Sequence, residues 1–215
     1  MVIFRLLLGS LSLILLAACA GQNAREDAQA FTVGAGVGTM GIYVEPTLKT
    51  GPKSSLRMPI GFGKRKFSTS FEGIDYDVSG SVGGVGVLAD YYPAGGALRV
   101  SGGLFKTDLN VSGRTTGSVE VGENTYVGVD LSTRGGPSNS VAPVLSVGYD
   151  GHVGAGWGVS TDVGVMYVGG WTTSITDATG TIAQSDIDAE LQAVDEQLSD
   201  INILPFVKFG ATYRW

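Results

Sequence analysis

The chain ends on an alternation that holds to its last residue. From Ile203 to Trp215 the odd positions are Ile203, Pro205, Val207, Phe209, Ala211, Tyr213 and Trp215, while the even positions become Lys208, Gly210, Thr212 and Arg214. A period of two marks a strand, because successive side chains leave opposite faces. One face is apolar and closes on an aromatic residue. The other turns polar and small.

The same two-faced pattern recurs upstream. Phe31, Val33, Ala35 and Val37 share a face, and Met40, Ile42, Val44, Pro46 and Leu48 form a second row in the opposite phase. The flip places a bulge or a turn at Gly38-Thr39, since a one-residue slip moves every side chain across. Further rows run through Leu56 to Phe62, Val85 to Tyr91, Leu98 to Leu104, Val141 to Tyr149 and Trp157 to Tyr167. Pro59 weakens its row by removing a ladder donor. Tyr76 and Val78 lie in the other phase from the Val85 row, with a bulge expected at Gly83-Gly84.

The faces opposite these rows hold Gly, Ser, Thr and a few charges. A water-soluble sandwich needs bulky residues inside and charges outside, and such thin faces cannot fill its core. With 34 glycines spread through alternating segments and only 16% charged residues, the pattern fits strands whose apolar side meets lipid. Tyr91, Tyr149, Trp157, Tyr167, Tyr213 and Trp215 sit near row ends, as aromatic girdles do at membrane interfaces. The expected fold is all-β: an eight-stranded antiparallel transmembrane β-barrel over residues 31–215. Should Phe31 to Leu48 be one kinked strand, the eighth must come from Trp171 to Thr181 or Thr125 to Leu131. Short turns are expected at Thr50 to Ser54, Tyr92 to Gly96 and Asp150 to Ala155. Long loops are expected at Lys64 to Asp75, Thr107 to Ser138 and Trp171 to Asn202, the outer-membrane habit.

The first 20 residues read as an export signal: Arg5, then the apolar run Leu6 to Ala18, then small residues. The run is shorter than the about 20 residues a spanning helix needs. Cys19 is the sole cysteine, so no intramolecular disulfide forms. Cleavage after Ala20 or Ala30 and lipidation at Cys19 both remain open, and residues 21–30 read as a linker or late signal region.

One segment is helical. Ile187, Leu191, Val194, Leu198 and Ile201 form a stripe at helical spacing within Ser185 to Ile201. Ser185 with Asp188 reads as a capping box. The acidic opposite face is unlike a membrane-surface helix. This amphipathic helix precedes the last strand, either as a rim helix or as a lid over the barrel mouth.

Charges that fall on the inward phase are Glu45, Arg57, Asp90, Arg99, Asp162, Lys208 and Arg214. An eight-stranded barrel has room inside only for side chains, so these must pair or meet water. A closing ion-pair network and a narrow polar path for small solutes are the two readings. No catalytic constellation appears. The sole histidine, His152, lies in a short turn without a triad partner, and one Cys with one His makes no zinc site. No cofactor or metal is expected. Gly34 to Gly38 and Gly83 to Gly86 do not open helices as phosphate loops do. The net charge of -6 argues against nucleic acid. Lys64-Arg65-Lys66 is a small basic cluster suited to the phosphates of lipopolysaccharide.

The run Ala89-Asp90-Tyr91-Tyr92-Pro93, the segment Gly95 to Leu104, Ser140-Val141-Ala142-Pro143 and the Tyr213-Arg214-Trp215 end resemble a group of small proteobacterial outer-membrane β-barrel proteins. Their architecture is similar to that of OmpA- and OmpW-type barrels. The resemblance implies residence in the cell outer membrane of a Gram-negative bacterium, among outer-membrane lipids and lipopolysaccharide. It also implies recognition of the last strand by the barrel-assembly machinery. It implies no settled substrate, and leaves an envelope role, a small-solute channel or, least favoured, a lipid-modifying enzyme.

Overall fold

The computed structural model describes residues 31–71, 74–122, 124–198 and 200–215. The export signal, Cys19 and the linker lie outside the described residues. The strands are β1 (Phe31–Gly38), β2 (Gly41–Gly51), β3 (Ser54–Arg57), β4 (Ile60–Phe71), β5 (Ile74–Tyr91), β6 (Leu98–Thr107), β7 (Asn110–Val121), β8 (Asn124–Pro137), β9 (Val141–Gly154), β10 (Trp157–Tyr167), β11 (Trp171–Asp177) and β12 (Ile203–Arg214). The helix α1 (Gln184–Leu198) precedes β12.

Eight staves close antiparallel into a barrel, in the order β1, β2, β3 with β4, β5, β6, β9, β10 and β12, and β12 pairs back onto β1. Closure leaves no free edge, the condition for a sheet in hydrocarbon. The turn at Thr39-Met40 separates β1 from β2, so the phase flip is a hairpin. The third stave is broken at Met58-Pro59. The ladder nevertheless persists, since the Met58 N–H donates to the Pro46 carbonyl and the Gly86 N–H to the Pro59 carbonyl, both at 2.9 Å.

Side chains alternate as the sequence rows require. Leu145, Val147, Val163 and Phe209 each expose more than half of their surface, while Arg57, Asp90, Arg99 and Asp162 are buried. A continuous exposed apolar belt around a charged interior is the inverse of a soluble protein, and it is the surface a transmembrane barrel shows to lipid. The girdle is lopsided. Tyr91, Tyr149, Trp157, Tyr213 and Trp215 gather at the short-turn end, where Trp157 and Tyr213 meet edge to face at 5.1 Å and Phe31 lies 5.9 Å from Trp215. Of the six, only Tyr167, the last residue of β10, marks the other end.

Two of the expected long loops, Lys64 to Asp75 and Thr107 to Ser138, are largely strand, and the third holds β11 and α1. β4 and β5 run past the barrel as a long hairpin, and β7, β8 and β11 join β5 to extend it into a wing. At Gly83 and Gly84 (φ +152° and +137°) β5 changes partner from β7 to β6. A Cβ on Gly84 would stand 2.0 Å from the Lys106 carbonyl oxygen, so glycine is required. The wing was hidden because its exposed face is Ser, Thr and charge. Its other face carries Val121, Val129 and Leu131, which α1 covers with Ile187 while Ile182 packs just before it.

Helix α1 begins at Gln184, so Ser185 lies inside it and is no cap. The Asp177 carboxylate takes the N–H groups of Thr181 (2.7 Å) and Ile182 (2.9 Å), and the Tyr126 hydroxyl takes that of Ala183. These partners fix the turn that leads into the helix, whose Asp186 and Ile187 N–H groups donate to the Ala183 carbonyl. Among the described residues α1 packs chiefly on β11 and β7 of the wing.

Candidate functional site

The barrel interior is built in two layers. Toward the short turns, inward positions of β2, β3, β5, β6, β10 and β12 bring Glu45, Arg57, Asp90, Arg99, Asp162 and Lys208 together. Arg57 sits at the centre. Its Nε donates to both Asp90 oxygens (2.9 and 3.0 Å), Nη1 to Glu45 (3.0 Å) and Asp162 (3.1 Å), and Nη2 to Ser101 (2.9 Å). Arg99 donates to Asp162 at 2.6 Å and pairs with Asp150. Lys208 donates to Glu45, lies 3.4 Å from Asp162 and stands 4.8 Å over the Tyr43 ring. Three buried acids and the half-buried Asp150 thus face three bases.

Small residues make this crowding feasible. A Cβ on Gly148 would lie 2.8 Å from both the Arg99 guanidinium carbon and an Asp162 oxygen. A Cβ on Gly210 would lie 2.3 Å from the Tyr43 hydroxyl. The thin faces seen in the sequence are the volume that long charged side chains occupy.

Toward the wing the interior is apolar. Leu88, Phe105, Ala142, Val144, Met166 and Phe206 form one buried cluster, with Met40 and Leu204 against it. Of these the alternation put Leu88, Leu204 and Phe206 on inward faces and Met40 on the outward one, and only strand order shows that they meet. Two stacked layers, one ionic and one greasy, fill the lumen.

Of the seven charges predicted for the lumen, six join the network. Arg214 holds the inward phase but lies at the barrel end and is exposed. Strand β12 runs out before its side chain is enclosed. Asp150, predicted as a turn residue, instead extends β9 and closes the network's lower side, accepting from Tyr92 at 2.9 Å. Its position next to the Gly-rich hairpin carried no sequence signal for this. Ser55, Ser101, Ser146 and Ser160, which donate or accept within the network, were also missed. His152 is exposed on the β9–β10 hairpin, opposite Gly158. Among the described residues no group of His, Cys, Asp and Glu is arranged to hold a metal ion.

The basic cluster divides. Strand alternation puts Lys64 and Lys66 on one face of β4 and Arg65 on the other. On the wing, Arg114 and Asp130 form a forked pair at 2.7 and 2.5 Å, which raises the guanidinium and lowers the carboxylate from their ordinary values. Asp177 is pulled down to about 2, first by the Thr179 hydroxyl and then by backbone N–H donors.

No protein-family profile and no curated protein matches the sequence. Solved structures do resemble the fold. CarO2 of Acinetobacter baumannii aligns at a TM-score of 0.61 with 21% identity, over 89% of this chain and 100% of that one. CarO of the same organism gives 0.58 and 22%, over 90% and 100%. A major outer membrane protein from Thermus thermophilus gives 0.50 and 16%, over 88% and 100%. What these proteins share with the chain is an outer-membrane-type fold, an eight-stranded antiparallel barrel.

Proposed function

We propose that the protein is an integral outer-membrane barrel of a Gram-negative envelope with a structural role and a sealed lumen. One observation carries this reading: the interior holds the buried Arg57-centred network and, above it, the buried Phe105–Phe206 cluster. A conducting pore needs water beside its charges. Here each charge is spent on another, and the layer above offers a permeating ion no polar group. The chain is a barrel without catalytic machinery. Its belt meets outer-membrane lipid, lipopolysaccharide contacts the wing, and the last strand, with its apolar face, is recognised by the barrel-assembly machinery. The likeness to OmpA- and OmpW-type proteobacterial barrels fits the same role.

Planar-bilayer recording of the refolded protein tests the seal. Silence at all voltages is expected. Steady unit currents would overturn the sealed lumen in favour of a small-solute channel.

A further inference from the structure

On β4 the outward face changes character within a few residues. Ile60 and Phe62 belong to the apolar belt, and Lys64, Lys66 and Ser68 continue the same side. Strand β5 makes the same change, from Val85 to Ser81 and Ser79. The switch marks where hydrocarbon ends. Four residues separate Phe62 from Lys66, about 13 Å along a strand and about 10 Å in height at a tilt near 40°. That is the level of lipid headgroups and the first sugars above them.

At that level a cleft of about 410 Å³ lies on the outward face of β4, β5, β7 and β8. Register places Lys66, Ser79, Ser112 and Arg134 opposite one another in a single transverse row. The Ser79 and Ser112 hydroxyls lie 3.2 Å apart at its middle. Three strand spacings separate the terminal cations at their Cα atoms, about 14 Å. The next row holds Asp77 and Arg114, with Arg114 fixed by Asp130. Lys66 and Arg134 have no ion-pair partner among the described residues. The volume falls in the range of small-molecule sites and exceeds what a lone phosphate fills.

We propose that this cleft binds the phosphorylated saccharide headgroup of an outer-leaflet lipid. Lys66 and Arg134 hold anionic groups at the two ends, by charge-assisted hydrogen bonds. The paired serines and Asp77 meet sugar hydroxyls between them. A cationic cleft on a chain of net charge -6 is a local device, and its height above the belt selects a lipid-borne ligand over a soluble one. The inference rests on the outer-membrane placing proposed above and is independent of whether the lumen conducts.

The test titrates the refolded protein, in a detergent free of lipopolysaccharide, with four probes: lipopolysaccharide, its deacylated phosphorylated saccharide, phosphatidylglycerol and inorganic phosphate. Lys66→Ala with Arg134→Ala should weaken lipopolysaccharide binding about tenfold or more. Ser79→Ala with Ser112→Ala should weaken it by a smaller factor. Lys49→Ala with Lys53→Ala, which removes two cations at the opposite end, should leave it unchanged. Heat-modifiable mobility verifies that each variant is folded. Equal affinity in the cleft variants overturns the site. Phosphate or phosphatidylglycerol binding as tightly as lipopolysaccharide overturns the saccharide. The deacylated saccharide should bind more weakly than lipopolysaccharide and lose that binding in the cleft variants; no binding overturns headgroup recognition, and affinity equal to that of lipopolysaccharide overturns the lipid-borne source. A conducting lumen would change none of these readings, and loss of saccharide binding would leave a silent lumen silent.

Discussion

Arg57 decides the interior. Its fork reaches Glu45, Asp90 and Asp162 at once, and among the described residues no other side chain pairs with all three. Arg57→Met fills similar volume but strands buried carboxylates, which should cost about 3–5 kcal/mol. Arg57→Lys keeps the charge and loses the fork, so it should fall between parent and Arg57→Met. Urea unfolding followed by gel mobility measures the order; Arg57→Met matching the parent would show that the network adds no stability. This residue was visible in the sequence as an inward charge, and so were its partners Glu45, Asp90 and Asp162, because period two fixes the face of every strand residue. Which acid meets which base was not visible. That depends on strand order and stagger, and both emerge only when the sheet closes. Asp150 was lost for a related reason: a hairpin longer than expected turned a supposed turn residue into a strand residue with a lumen side.

At the scale of elements, the barrel staves were legible and the wing was not. Lipid demands a bulky residue at every second position, so staves such as β10 announce themselves. Strands beyond the hydrocarbon have no such demand. β7 reads Asn110-Val111-Ser112-Gly113-Arg114, which resembles a loop in composition and is held by ladder bonds. Helix α1 was read from its stripe and starts one residue before the expected Ser185; what the stripe did not show is that Asp177 fixes the turn leading into it. This gives a pH prediction. Asp177 is held at about 2 against an ordinary 3.8, so the unfolded turn binds the proton more readily. Its contribution is complete above 3.8 and is lost as pH falls through about 2. Amide protection at Ile182 and Ile187, corrected for intrinsic exchange, should therefore decline across that window. Asp177→Asn should be less protected at neutral pH and flat over the same range. An unchanged acid dependence in Asp177→Asn would assign the effect to Asp186, which Tyr126 and Asn124 also hold low.

For the whole molecule the two interior layers act as seals in series. Water crossing the barrel must pass the ionic layer, where a hydrated path would separate Arg57 from Asp162, and then the apolar layer, where no polar atom replaces lost hydration. Either layer alone should suffice. Phe105→Ala with Phe206→Ala empties the upper layer and leaves the lower one locked. Arg57→Ser with Asp162→Ser removes one base and one acid together, leaving Glu45 with Lys208 and Arg99 with Asp150 and, at 3.9 Å, Asp90, so the lower layer opens without a net change of buried charge. Each double variant should remain silent in a planar bilayer. The quadruple variant should carry small steady currents, provided its gel mobility shows a closed barrel. Currents in the ionic-layer double variant alone would mean that the apolar cluster is no barrier to water, and the seal would then belong to the Arg57 network by itself.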